Sequence, residues 1–85
     1  MSYRVDVRRE VVRALKRLPV REAKRIVAAI DDLAETPRPS NVKKLRGGLG
    51  WRLRVGEYRL IYLIFDRERL VTVEQIERRT THTYD

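Results

Sequence analysis

The apolar residues of this chain change their spacing once, near residue 40, and that change limits the folds open to it. Before it the period is helical. From Arg8 to Leu18, the residues Val11, Leu15 and Leu18 recur every three or four positions, with Val12 beside them. From Val20 to Ala34, the residues Ile26, Ile30 and Leu33 form one stripe, flanked by Ala23, Val27 and Ala34. Such spacing gathers apolar side chains on one side of a helix. Pro19 cannot continue the first helix, because it lacks an amide hydrogen, but it can open the second. Leu18-Pro19-Val20 leaves only a tight connection, which predicts an antiparallel helix hairpin.

Thr36-Pro37-Arg38-Pro39-Ser40-Asn41 is a loop by composition. After it the period is two, as in a strand with one buried face. Val42–Arg46 reads as a short edge strand, broken by the glycines of Gly47-Gly48-Leu49-Gly50. Trp51, Leu53 and Val55 alternate with Arg52 and Arg54, and Gly56-Glu57 fits a tight turn. Tyr58–Phe65 is apolar except for Arg59, which predicts a central strand buried on both faces. Asp66–Arg69 reads as a second turn and Leu70–Ile76 as the last strand. Near the N-terminus, Tyr3–Val7 alternates as well. The order β-α-α-β-β-β predicts an α+β domain, residues 1–85. In it, an N-terminal strand and a two-helix hairpin pack on an antiparallel sheet of about four strands. That leaves the other face of the sheet open.

Charge narrows the classes of partner. Lys and Arg number 20 against 12 Asp and Glu, a net charge of +8 on 85 residues. Such a field attracts polyanions: RNA, DNA, an acidic protein or an anionic membrane surface. No run of 18 apolar residues is present to span a bilayer, and no long apolar stretch follows Met1–Asp6 as in a signal peptide. Cysteine is absent, which excludes disulfides, a thiol nucleophile and a cysteine metal site, and fits a cytoplasmic protein. No metal-ligand cluster, phosphate loop or Ser-His-Asp set stands out, so neither metal nor cofactor is expected.

If Gly56-Glu57 is a two-residue turn, Val55 pairs with Tyr58, Arg54 with Arg59 and Leu53 with Leu60. Arg52, Arg54 and Arg59 then share the open face. Like charges directly opposite across strands repel, and a partner anion would relieve them. The competing explanation is that each arginine is a solvated strand position whose stem covers apolar surface. In the tail, Arg78 and Arg79 precede His82 and Tyr84. Tyr84 suits base stacking, proton transfer or simple packing of the tail. Histidine's ordinary pKa lies near neutrality, so His82 is either an acid–base group or a spectator.

Lys44-Leu45-Arg46-Gly47, followed by Trp51-Arg52-Leu53-Arg54-Val55-Gly56-Glu57-Tyr58-Arg59-Leu60-Ile61-Tyr62, resembles the signature of the RelE/ParE toxin superfamily. Tyr3-Arg4-Val5 and Ala14-Leu15-Lys16-Arg17-Leu18-Pro19 extend the resemblance over nearly the whole chain. It implies a microbial-ribonuclease-like α+β fold and a type II toxin paired with a cognate acidic antitoxin in a hetero-oligomeric complex. The RelE-like branch implies cleavage of mRNA on the ribosome, by attack of a ribose 2′-OH on the adjacent phosphate. The resemblance casts Arg52, Arg59, Arg78 and Tyr84 as catalytic. Arg59 and Arg78 would hold the charge of the transition state, and Tyr84 would act as base or stacking group. Lys43, Lys44, Arg46, Arg54, Arg79 and His82 are the expected nucleic-acid-binding residues. Gly50 departs from the pattern, in which that position is basic, and Ile76-Glu77 replaces small or basic residues before the tail arginine. The ParE-like branch shares the fold and implies poisoning of DNA gyrase without a nuclease site, and the charge alone would also allow a catalytically inactive basic module that binds nucleic acid or protein.

Overall fold

The computed structural model describes residues 2–48 and 50–79. Strand β1 (Arg4–Val7) leads into helices α1 (Arg9–Lys16) and α2 (Val20–Asp32). Strands β2 (Val42–Lys44), β3 (Trp51–Val55), β4 (Tyr58–Phe65) and β5 (Leu70–Arg78) follow, with a short 3-10 turn at Arg46–Gly48. Both helices are shorter than the apolar pattern. Helix α1 stops at Lys16 and α2 at Asp32, because Arg17 and Leu33 already bond back over three residues at the cap. Pro19 caps α2 in an extended conformation. The glycines end β2 at Lys44, two residues before the expected limit, since Gly47 and Gly48 take positive φ.

All five strands lie in one sheet, in the order β1-β5-β4-β3-β2. Strands β2 to β5 are antiparallel, as expected. Strand β1 adds a parallel edge, with Val5 opposite Val71 and Val7 opposite Val73. The sheet is therefore mixed and five-stranded, where an antiparallel sheet of about four was expected. Alternation in Tyr3–Val7 reports a buried face but carries no pairing direction. The direction follows from the long crossover through both helices, which parallel neighbours require.

The helices cover one face only. Val11 of α1 and Ile26, Ile30 and Leu33 around α2 pack on Leu53, Val55, Tyr58, Leu60, Tyr62, Val71 and Val73. Leu60, Tyr62, Val71 and Val73 are fully enclosed. Strand β4 holds the middle of the sheet but is not buried on both faces: Ile61 and Leu63 are half-buried and Phe65 is exposed. An uninterrupted apolar run could not show that, among the described residues, no second layer covers it.

A bulge in β5 sets the side on which its last residues fall. Ile61 pairs with Gln75, but Tyr62 pairs with Val73, so Glu74 is an extra residue. Beyond it the alternation is inverted. Ile76 and Arg78 come opposite Leu60 and Tyr58 on the helix side, while Gln75 and Glu77 come opposite Ile61 and Arg59 on the open side. Strand β5 also runs two residues past the expected Ile76, because β4 supplies partners as far as Tyr58.

The loop after α2 is tied down at the far end of the sheet. Arg38 donates two hydrogen bonds to the Asp66 carboxylate, at 3.1 and 2.8 Å, and the Tyr3 hydroxyl donates a third at 2.6 Å. These donors hold the Asp66 carboxyl at about 2, below its ordinary 3.8. Arg38 also lies 5.1 Å from the centre of the Trp51 ring, and the Tyr62 hydroxyl donates to the Pro37 carbonyl at 2.7 Å. Among the described residues no helix is long and apolar enough to cross a membrane.

Candidate nucleic-acid interface

The β3–β4 hairpin folds in the register that its turn predicts. Val55 faces Tyr58, Arg54 faces Arg59 and Leu53 faces Leu60. Gly56 carries φ 59°, which suits glycine at the first central position of a tight hairpin turn. With that register Leu53, Val55, Tyr58 and Leu60 enter the core, and Arg52, Arg54 and Arg59 stand on the open face. Strand β2 adds Lys43 directly opposite Arg52.

These side chains frame a small concavity of about 130 Å³, lined by Lys43, Arg52, Arg54, Arg59 and Arg79. All five are cationic. Two direct cross-strand pairs, Lys43 with Arg52 and Arg54 with Arg59, set like charges side by side. Such pairs are destabilising. Among the described residues the acid paired with this cluster is Glu77, 4.0 Å from Arg59 and more than a third exposed, a distance and setting at which an ion pair contributes little. The face is thus electrostatically unbalanced and fits an anion with several oxygens. Guanidinium groups bind phosphate in bidentate fashion and do not give up their charge.

Arg79 belongs to this cluster and Arg78 does not. The Arg79 amide donates to the Glu57 carbonyl at 2.6 Å, and its guanidinium reaches the Gly56 carbonyl at 3.4 Å. That anchors it beside the β3–β4 turn. Arg78 projects from the helix side of β5, opposite Tyr58, and pairs with Glu57 at 3.5 Å. The expected convergence of Arg78 with Arg52 and Arg59 is therefore corrected. The Glu74 bulge inverts the alternation, and Arg79 occupies the place expected for its neighbour. No local signal marks a bulge in Leu70–Arg78, so the sequence could not choose between the two arginines.

Two other expected binding residues lie apart. Lys44 faces Trp51, its ammonium 5.6 Å from the ring centre, and Arg46 sits in the 3-10 turn beyond β2. Tyr84 and His82 lie outside the described residues. The three described tyrosines are unsuited to proton transfer on the open face. Tyr58 donates to the Glu22 carboxylate at 2.8 Å, which raises its pKa. Tyr3 is raised by its bond to Asp66, and burial pushes Tyr62 up to about 12. Among the described residues no cluster of His, Cys, Asp and Glu forms a metal site.

Gly50, where a basic residue was expected from the resemblance, has a structural cause. Its φ is 140°, and a Cβ there would lie 3.1 Å from the Tyr62 carbonyl oxygen and 3.2 Å from a Leu63 methyl. Both the backbone and the packing at this point favour glycine.

The sequence profile of the ParE toxin of type II toxin–antitoxin systems matches residues 3–82. The chain belongs to the RelE/ParE toxin superfamily. It is a toxin of a type II toxin–antitoxin system. A candidate toxin RelE1 of Methanocaldococcus jannaschii is 29% identical over 83 residues, which cover 93% of this chain and 92% of that protein. The RelE–RelB complex of Pyrococcus horikoshii contains a chain of the same fold, with TM-score 0.86 and 32% identity over 95% of this toxin and 99% of that chain. A chain of the RelBE2 toxin–antitoxin complex of Mycobacterium tuberculosis is similar too, with TM-score 0.82 and 29% identity over 93% and 100% of the two chains. The five-stranded mixed sheet with two helices on one face is thus the RelE-like architecture.

Proposed function

We propose that this toxin is a ribosome-dependent mRNA endoribonuclease of the cytoplasm, kept silent by a cognate acidic antitoxin in a hetero-oligomeric complex. One observation carries the reading: Lys43, Arg52, Arg54, Arg59 and Arg79 converge on the sheet face away from the helices, and among the described residues no acid lines the concavity between them. RNA phosphates meet such a face with charge and geometry together. In the reaction a ribose 2′-oxygen loses its proton and attacks the adjacent phosphorus, the bond to the 5′-oxygen breaks, that oxygen takes a proton from water, and a 2′,3′-cyclic phosphate and a 5′-hydroxyl result. Arg52 and Arg59, joined by Arg79, stabilise the charge that builds on the phosphoryl oxygens. Guanidinium cannot take the 2′-proton, so Tyr84 is the group we assign to it. Weak acid–base groups make alignment of the substrate decisive, which is a reason for such an enzyme to act only on the ribosome.

An acidic segment of a second protein would neutralise the same face. The outward side of the helices supports a protein partner as well. Val20 and Val27 are 70% and 42% exposed there, beside an apolar groove of about 500 Å³. The solved complexes named above join a RelE to a RelB, and we carry that arrangement over to this chain.

A gyrase-directed toxin is the second reading. It is favoured by the match to the ParE profile and by Gly50, which denies the face one cation. Induced expression with mapping of mRNA 5′ ends separates the two. Cuts within translated codons, lost in Arg59→Ala, are the expected result. Intact mRNA with accumulating DNA breaks would establish the gyrase reading instead.

A further inference from the structure

Pairing between β2 and β3 ends at Val42 and Leu53. Past that point Arg54 and Val55 border a groove of about 550 Å³, walled on its other side by α2 and the loop that follows it. That volume is within the ~300–1,000 Å³ usual for small-ligand sites. Ala28 and Ala29 keep the helix wall low, and Leu53 and Val55 give it an apolar floor. Arg25, Asp32 and Asn41 stand around it with donors and acceptors.

The groove adjoins the arginine face. Arg54 lines both. Gly56 forms the ridge between them, with Arg79 bonded to its carbonyl on one side. On the other side the Arg25 guanidinium lies 3.0 Å from where a Gly56 Cβ would sit. The two cavities differ in charge. Among the described residues the arginine face is lined by cations alone, whereas in the groove Arg25 and Arg54 are balanced by Asp32 and Glu35. An anion is drawn to the first. The second suits a neutral, flat, hydrogen-bonding group that can lie against guanidinium planes and apolar surface.

We propose that this groove is a nucleobase pocket, which receives the base attached to the nucleotide whose phosphate sits on the arginine face. The proposal rests on the reading of that face as an RNA phosphate site. It gives the toxin a means of sensing nucleotide identity that the phosphate contacts lack. A polypeptide strand added to the open edge of β3 is the rival occupant. Asp32 and Glu35 disfavour it for an acidic segment.

The test is titration of the full-length toxin, followed by amide chemical shifts, with 3′,5′-bisphosphates of the four nucleosides and with the abasic ribose analogue. The nucleoside compounds are expected to bind about tenfold more tightly than the abasic one, the size of one stacked base. Their extra shifts should fall at Ala28, Ala29 and Asn41. Ala28→Phe, which fills the groove, should abolish the increment and leave abasic binding unchanged. Asn41→Leu should reduce the difference among the four bases. Equal affinity with and without a base, or an increment that survives Ala28→Phe, overturns the pocket. In that case abasic binding that disappears in Arg59→Ala leaves the phosphate site standing. Absence of all binding overturns both. A poly-glutamate peptide is titrated in parallel. Shifts in the groove from it and none from the nucleotides would assign the groove to a polypeptide and end the proposal.

Discussion

Arg54 and Arg59 face each other directly across β3 and β4 on the open side of the sheet. Two cations in that relation oppose folding of the hairpin that presents them. The arrangement is intelligible as one that waits for an anion, and it yields a paired expectation. Arg54→Glu should convert a repulsive cross-strand pair to an attractive one and raise unfolding free energy by ~0.2–1 kcal/mol. The same variant should weaken binding to single-stranded RNA at low salt. Urea unfolding and filter binding measure the two effects. A variant that lost both stability and binding would mean that Arg54 serves the fold rather than a ligand.

Arg79 and Arg78 are neighbours in sequence but lie on different sides of β5. Arg79→Ala should weaken RNA binding and reduce the slope of log affinity against log salt by about one. Arg78→Ala should leave that slope within error. Its loss removes only an exposed pair with Glu57 and should shift stability by less than ~1 kcal/mol. Equal slopes for the two variants would refute the bulge-dependent assignment.

Gly50→Lys would restore the basic residue that the family resemblance leads one to expect. At φ 140°, with the Tyr62 carbonyl 3.1 Å from the new Cβ, it should cost ~1–3 kcal/mol in urea unfolding. No gain in toxicity should accompany it, because the strand must shift to make room. A stable, more active Gly50→Lys protein would show that the backbone there is freer than it looks.

Asp66 gives the fold an acid limit. Its carboxyl is held at about 2, against 3.8 without its partners, by the hydrogen bonds from Arg38 and Tyr3. A depressed acid stabilises the folded chain above its unfolded value and loses that contribution as pH falls towards the folded one. Stability should therefore decline between about pH 4 and pH 2 more steeply in the native toxin than in Asp66→Asn. Thermal unfolding across that window checks it. Parallel curves would remove Asp66 from the account.

Burial of the Tyr62 hydroxyl sets a limit at the alkaline end. Its pKa is pushed up to about 12 from 10.0, and its bond to the Pro37 carbonyl holds the loop after α2. A raised value means stability that is intact below pH 10 and lost as pH climbs towards 12. Tyr62→Phe should flatten that loss and cost ~0.5–1.5 kcal/mol at neutral pH. An unchanged alkaline limb in Tyr62→Phe would point to another group.

Most of the architecture could be read from apolar spacing. Trp51, Leu53 and Val55 against Arg52 and Arg54 set the strand period, and Gly56-Glu57 set the register that puts Arg54 opposite Arg59. These are short-range relations, in which side-chain parity follows from backbone geometry alone. The same local rules placed the helix pair to either side of Pro19. Three features were beyond their reach. The parallel pairing of β1 with β5 depends on where a long crossover returns, and alternation is blind to strand direction. Glu74 inverts the sides of Arg78 and Arg79, yet an extra residue in one strand is visible only against its partner. The groove beside Arg54 exists because β2 begins only at Val42, opposite Leu53, and α2 walls the gap, a spatial relation that leaves no mark in residue order. The linear order was sufficient for composition, period and turn chemistry, and so for the arginine face itself. Which cations complete that face, and what adjoins it, came from contacts between residues distant along the chain.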